Sequence, residues 1–408
     1  MPTKVFLVSV ILTSFGLCHS VASDMETYVE ILRNHPEVEQ FFEYKIQLNE
    51  LSEADLALPD PQFYVGMDNS FFDDPEYNRL LSPTKTLGFI QKFPSKSLRR
   101  AESSKKKILS KHQELRGNYM HKLLEASLIS HLANLEKIGI LEGLAKQQLV
   151  YYELMEAELK GQLVSGSPVF PLFFEIDADR TEIEQYLNQL EYETVSTHEE
   201  LKWLVGEVPQ IESLTNQDLN WNQEISSLYP IKIAVESLNA AAGDLAIIEA
   251  TSHPNFSVQA TYKRREFEKK SSDYDWFNIR ASISLPIWYK SNQAPRLRAA
   301  RSDNRKAKLI YERVCQDWIK KMSVLQAEYE NVTEDIKFLQ EKKSSRKQFI
   351  EAANRGYEAG VASLASVLIA QIDELSLESQ IQSKRSIQIS LSAEFNSHHV
   401  RELADEFN

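Results

Sequence analysis

Phe256-Ser257-Val258-Gln259-Ala260-Thr261-Tyr262-Lys263 and Phe277-Asn278-Ile279-Arg280-Ala281-Ser282-Ile283-Ser284-Leu285 lie between Pro254 and Pro286. Apolar and polar residues alternate along both runs. Successive side chains of a strand point to opposite faces, so the spacing predicts two strands, each with one apolar and one wet face. The apolar set is Phe256, Val258, Ala260 and Tyr262, then Phe277, Ile279, Ala281, Ile283 and Leu285. The wet set includes Lys263, Asn278 and Arg280. Strands of about 9–10 residues are long enough to cross a bilayer at a tilt. A strand of an ordinary sandwich shows the same alternation, so this hairpin alone leaves both readings open.

Repetition separates them. Pro61-Gln62-Phe63-Tyr64-Val65-Gly66-Met67-Asp68 parallels the first strand, and Thr86-Leu87-Gly88-Phe89-Ile90-Gln91-Lys92-Phe93-Pro94 parallels the second with poorer alternation. Pro36 and Pro230, Pro61 and Pro254, Pro94 and Pro286, and Gly166 and Gly360 all recur at an offset of about 193 residues. The chain therefore reads as one duplicated unit: residues 24–206, a linker over 207–226, a second unit over 227–398 and a tail over 399–408.

The remaining sequence is long, charged helix, poor in glycine (12 in 408 residues). Helices are expected over 24–33 and from Pro36 to about Leu56, with Asn34 or His35 as cap and Pro36 in the first turn, where a missing N–H is harmless. Leu58-Pro59-Asp60-Pro61 stops the second of these. A long helix is expected from Ser95 to about Leu163, and a return helix from about Val169 to Val205. Phe170, Phe173, Phe174, Ile176, Ile183, Tyr186, Leu187, Leu190 and Leu201 form the return helix's apolar side. In the second unit, helices are expected from Tyr229 to about Thr251, from Asn292 to about Arg355 and from Ser363 to about Glu394. The second of these places Leu309, Ile310, Val314, Trp318 and Met322 on one face. An arm of about 65 residues is on the order of 100 Å long.

Residues 1–23 read as a secretory signal: Lys4, an apolar run from Val5 to Leu17, and small residues at Val21-Ala22-Ser23. Cys18 lacks the small residue before it that a lipid-attachment site needs, and after cleavage only Cys315 remains, so no internal disulfide is expected. The net charge of −13 argues against nucleic acid as a partner. No phosphate loop, metal-ligand spacing or nucleophile elbow is present, so neither an enzyme nor a cofactor is expected. His398-His399 reads as a solvated pair in a polar tail. The basic stretch from Lys96 to Lys107 reads either as a solvated helix face or as an anchor for anionic lipid.

These pieces constrain the architecture. Four strands cannot close a barrel, and a bilayer forbids an open sheet edge. Strands that cross a membrane must therefore come from several chains, with the helices extending away as coiled-coil hairpins. A periplasmic scaffold or adaptor with a small soluble sheet is the alternative, and it has no need of a repeated pair of membrane-length strands.

This arrangement resembles the TolC-like outer-membrane factor family over nearly the whole mature chain. Tyr357-Glu358-Ala359-Gly360-Val361-Ala362-Ser363-Leu364-Ala365-Ser366-Val367-Leu368-Ile369-Ala370-Gln371 resembles the family's second hairpin tip. Ser165-Gly166-Ser167-Pro168 is a weaker likeness of the first tip. Asn34-His35-Pro36-Glu37-Val38 is similar to the family's helix start, and Leu201 to Pro209 to its end-of-repeat signature. Leu58-Pro59-Asp60-Pro61 resembles the lead-in to the first strand, seen especially in the heavy-metal efflux branch. The resemblance implies a mostly α homotrimer with a twelve-stranded β-barrel in the outer membrane and a helical tunnel through the periplasm. It serves as the exit duct of a tripartite efflux pump or type I secretion system. The implied partners are outer-membrane lipid, a periplasmic adaptor and an inner-membrane transporter of RND or ABC type. Gate candidates carried over are Gly166, Glu175, Tyr357, Gly360 and Ser366, and adaptor-contact candidates are Ser165, Ser167, Ala359, Val361 and Ser363. Tyr357 matches the family's gate tyrosine, but Ala362, Ser366 and Ile369 stand where the family's arginine and two aspartates are usual. Glu175, with Asp177 and Asp179 nearby, is then the candidate for the constriction's charge; acids at a solvated helix start read equally well.

Overall fold

A computed structural model describes residues 25–68, 84–164, 170–210, 214, 219, 221–265 and 274–400. The signal segment, the first hairpin tip (Ser165, Gly166, Ser167) and the end of the tail lie outside them. The elements are α1 (Met25–Arg33), α2 (Pro36–Leu56), β1 (Gln62–Asp68), β2 (Thr84–Phe93), α3 (Lys96–Val164), α4 (Phe170–Val205), α5 (Tyr229–Ala250), β3 (Phe256–Arg265), β4 (Tyr274–Ile283), α6 (Gln293–Glu358) and α7 (Leu364–Ser397).

Local chemistry sets the helix ends. His35 caps α2 in extended backbone, its Nδ1 accepting the Glu37 N–H at 3.3 Å, with Pro36 as the first helical residue. The Ser95 hydroxyl accepts the Leu98 N–H at 3.2 Å, just before α3. Gly206, at φ +84°, ends α4, and its N–H reaches the Lys202 carbonyl at 2.8 Å.

The two hairpins join into one antiparallel sheet in the order β1-β2-β3-β4. Asn255 ties the repeats together below it: its side-chain oxygen accepts the Ser95 N–H at 2.8 Å, and its carbonyl accepts the Ser284 N–H at 2.9 Å.

Two unbroken helices, α3 and α6, run side by side with two stacked pairs. On one side α3 packs against α2 and α4; on the other it packs against α5 and α7, which also pack on α6. Each junction between stacked helices is sealed by apolar residues. Tyr28, Leu32, Val38, Leu124, Leu128, Leu201 and Leu204 close the first, with α1 wedged into it. Trp221, Leu228, Ile231, Met322 and Phe395 close the second. No helix among the described residues is long and apolar enough to cross a membrane.

Three expectations are corrected. His398 and His399 are not solvated: His398 is 1% exposed, and both pack into the second junction. Leu309 and Ile310 are exposed rather than inward, because α6 turns only Ala300 and the Met322 side to its neighbours there. Phe170 and Phe174 are exposed too, their rings 5.5 Å apart, while Ile176 and Leu190 carry the packing of α4. Part of the basic stretch is spent inside the chain: Lys106 pairs with Asp55 at 2.6 Å, and Lys105 pairs with Asp244.

Candidate functional site

The register shows how the two faces of the sheet are built. Phe63, Phe89, Ala260 and Ile279 stand abreast across all four strands, and so do Val65, Leu87, Tyr262 and Phe277. This face is bare: Phe63 is 73% and Val65 81% exposed. The other face carries Tyr64, Gly88, Thr261 and Asn278 in one row and Gln62, Ile90, Gln259 and Arg280 in the next. Thr84, Thr86 and Thr261 are buried there. A water-soluble sheet buries its apolar face; this sheet leaves it bare and shields threonines on its polar face.

Side-chain hydrogen bonds cross three strands on the polar face. The Tyr64 hydroxyl lies 2.6 Å from Gln259 Nε2, which donates to it, and 3.1 Å from the Thr261 hydroxyl. Asp68 accepts from Thr86 at 3.0 Å and from Lys263 at 2.7 Å. Gly88 lets this network form, because the Tyr64 ring lies across it: a Cβ at Gly88 would sit 2.1 Å from Tyr64 Cζ. The alternating pattern reveals the two faces. It does not reveal this tyrosine–glycine contact, which depends on the pairing of distant strands.

The far end of the molecule is the hairpin tip between α6 and α7. Gly360, at φ +74°, turns the chain there, and its N–H reaches the Tyr357 carbonyl at 2.9 Å. Val361 and Ala362 N–H groups both reach the Gly356 carbonyl. Ser363 caps α7: its hydroxyl accepts the Ser366 N–H at 3.3 Å, and the Ser366 hydroxyl donates back to the Ser363 carbonyl at 2.7 Å. Ser366 is thus engaged in the cap. Val361 is 84% exposed at the apex, and Ala359 and Tyr357 are exposed beside it.

Leu364, Leu368 and Ile372 pack on Met155, Leu159, Phe173 and Ile176, which brings the α3–α4 arm to the same end. Of the acids there, Glu156 pairs with Lys160 at 2.6 Å and with Arg180 at 3.2 Å. Burial, reinforced by Asp179, pushes the Tyr152 hydroxyl up to about 12, so it stays protonated. Glu175 and Asp177 are exposed. Val164 is exposed at this end, as are Phe170 and Phe174, which helical periodicity assigns to the core instead. Among the described residues no cluster of His, Cys, Asp and Glu is arranged to hold a metal.

Residues 231–393 match the family described as outer membrane efflux protein. No curated relative matches the chain. Among solved structures, CusC, described with conformational changes accompanying folding and transmembrane channel formation, is similar at a TM-score of 0.76 and 16% identity, covering 92% of each chain. The open-state MtrE outer membrane channel of Neisseria gonorrhoeae gives 0.75 at 14% identity, over 92% of this chain and 88% of that one. The outer membrane protein VceC of Vibrio cholerae gives 0.73 at 16%, over 91% and 95%. The second repeat is matched by sequence, and the fold is shared across both repeats.

Proposed function

We propose that this chain, an outer membrane efflux protein in its fold and in the sequence of its second repeat, is one subunit of a trimeric exit duct through the outer membrane. The observation that carries this reading is the inverted sheet. Its apolar face is bare, its polar face is networked, and each outer edge ends in a strand paired on one side only. In a bilayer such a face meets lipid, and the edges must find partners. Joining β4 of one copy to β1 of the next closes a barrel of about twelve strands, with the polar face lining a water-filled lumen. The helices then extend into the periplasm as a tunnel, and the protein conducts substrate without chemistry of its own.

The tip is the gate and the docking end. Glu175 supplies the charge of the constriction, since the second tip has no acid at the equivalent positions, and Tyr357 is the gate residue of the second tip. Exposed Val361, Phe170 and Phe174 offer apolar contact to a periplasmic adaptor, which links the duct to an inner-membrane transporter. The test is the mass of the detergent-extracted protein by light scattering, with conductance in planar bilayers. Three chains per particle and stable channels are expected. A single chain that stays in solution without detergent would overturn the reading.

A further inference from the structure

The helical layer of one chain has two flanks. Among the described helices α2 packs on α1 and α3, and α6 on α5 and α7, so each has a side that no described helix of its own chain covers. On α2, Val38, Leu48 and Ser52 are buried. Opposite them Glu39, Glu43, Ile46, Glu50 and Glu53 follow one another at steps of three or four, all exposed. Such steps place them on one stripe. On α6, Arg298, Arg301, Arg305 and Lys308 follow at the same steps, also exposed, with Leu309 beside them at 65% exposure. Arg301 comes within 4.0 Å of Glu249. The other charges of both stripes pair with no described residue of their own chain.

The two stripes stand at the same level. Asp55 of α2 meets Lys106, Lys105 meets Asp244 of α5, and Glu249 of α5 meets Arg301 of α6. This ladder puts the last turns of α2 and the early turns of α6 equally far from the sheet. One flank therefore offers carboxylates around an isoleucine, and the other offers cations around a leucine, in antiparallel helices of matching height.

We propose that the acidic stripe of α2 docks on the basic stripe of α6 of a second copy of this chain. Glu50 and Glu53 face Arg301, Arg305 and Lys308, and Ile46 packs on Leu309. The proposal rests on the ring reading above and deepens it, by naming the faces that close the ring and the charges that set the pairing. It also accounts for the bare Leu309, which the chain's own core leaves out.

The test reverses the stripes in the full-length, detergent-extracted protein at about 0.15 M salt, where exposed pairs are partly screened but still felt. One variant carries Arg298→Glu, Arg305→Glu and Lys308→Glu; another carries Glu43→Lys, Glu50→Lys and Glu53→Lys; a third combines them. Each set alone is expected to lose the three-chain particle, and the combination to restore it. Either set keeping the wild-type mass, or a combination no better than its parents, overturns the seam while leaving the trimer standing. A wild-type particle of one chain overturns the ring itself. A second measurement does not depend on reversed charges: Glu50→Cys with Arg305→Cys, in a Cys315→Ser background, is treated with a short bis-maleimide. Cross-linked species of two and three chains are expected, and their absence overturns the seam.

Discussion

Tyr64 and Gly88 show what a single position does in the sheet. The ring fills the space that a side chain at Gly88 would take, and its hydroxyl reaches across β2 to Gln259 and Thr261 of β3. Gly88→Ala forces the ring aside and breaks that bridge. Overpacking of this kind costs about 1–3 kcal/mol. Thermal unfolding should show Gly88→Ala melting below wild type, and the same change in a Tyr64→Ala background should cost far less, since the clash partner is gone. Equal losses in both backgrounds would mean that the glycine serves the backbone and not the ring. The alternation in the sequence sorts these residues onto faces correctly, because parity is a local property. It cannot place Tyr64 over Gly88, because that contact needs the register between β1 and β2.

Among the elements, the junction of α7 with α5 is held by a residue whose environment only the fold supplies. The His398 carbonyl accepts the Tyr229 N–H at 2.9 Å, and the Ser227 carbonyl accepts the Val400 N–H at 2.7 Å. Burial pushes the Tyr119 hydroxyl up to about 12, so it stays protonated, and it shares a hydrogen bond of 2.9 Å with His398 Nδ1. The His398 Nε2 faces Glu394 at 3.7 Å, with the Trp318 ring 4.8 Å away. Burial holds His398 below its ordinary 6.5, with Lys321 adding to the effect and Glu394 opposing it. Burial lowers His399 as well. The His398 imidazole facing it, together with Lys321, holds Glu394 down to about 2. A histidine depressed in the fold binds its proton more readily when unfolded. Its stabilising contribution is complete above pH 6.5 and is lost as the pH falls below that value. Melting temperature should therefore drop from pH 7 to pH 5.5, and His398→Gln should flatten the slope; an unchanged slope would remove His398 as its source. Adjacent polar residues near a chain end give no sign of this burial, which comes from the packing of α3, α6 and α7. The helix cap at His35, in contrast, is legible in the sequence, because capping is settled within a few residues.

At the scale of the whole molecule, neighbouring residues of one strand stand on opposite faces of the sheet. Ile279 stands abreast of Ala260, Phe89 and Phe63 on the bare face, and Arg280 abreast of Gln259, Ile90 and Gln62 on the other. The errors in reading the core lie at Leu309, Phe170 and Phe174, which have the periodicity of buried residues but are covered by no described residue of the chain. A barrel shared among copies assigns lipid to Ile279 and lumen to Arg280. Arginine on the lipid face of such a barrel costs about 2–4 kcal/mol near the bilayer midplane, while lumen substitutions change selectivity instead. Ile279→Arg should lower the heat resistance of the membrane-extracted particle or prevent its insertion. Arg280→Glu should leave mass and melting close to wild type and move the reversal potential in a KCl gradient toward cations. If the two substitutions exchanged these effects, the faces would be assigned the wrong way round. If both were silent in the membrane fraction, the sheet would not be in the membrane.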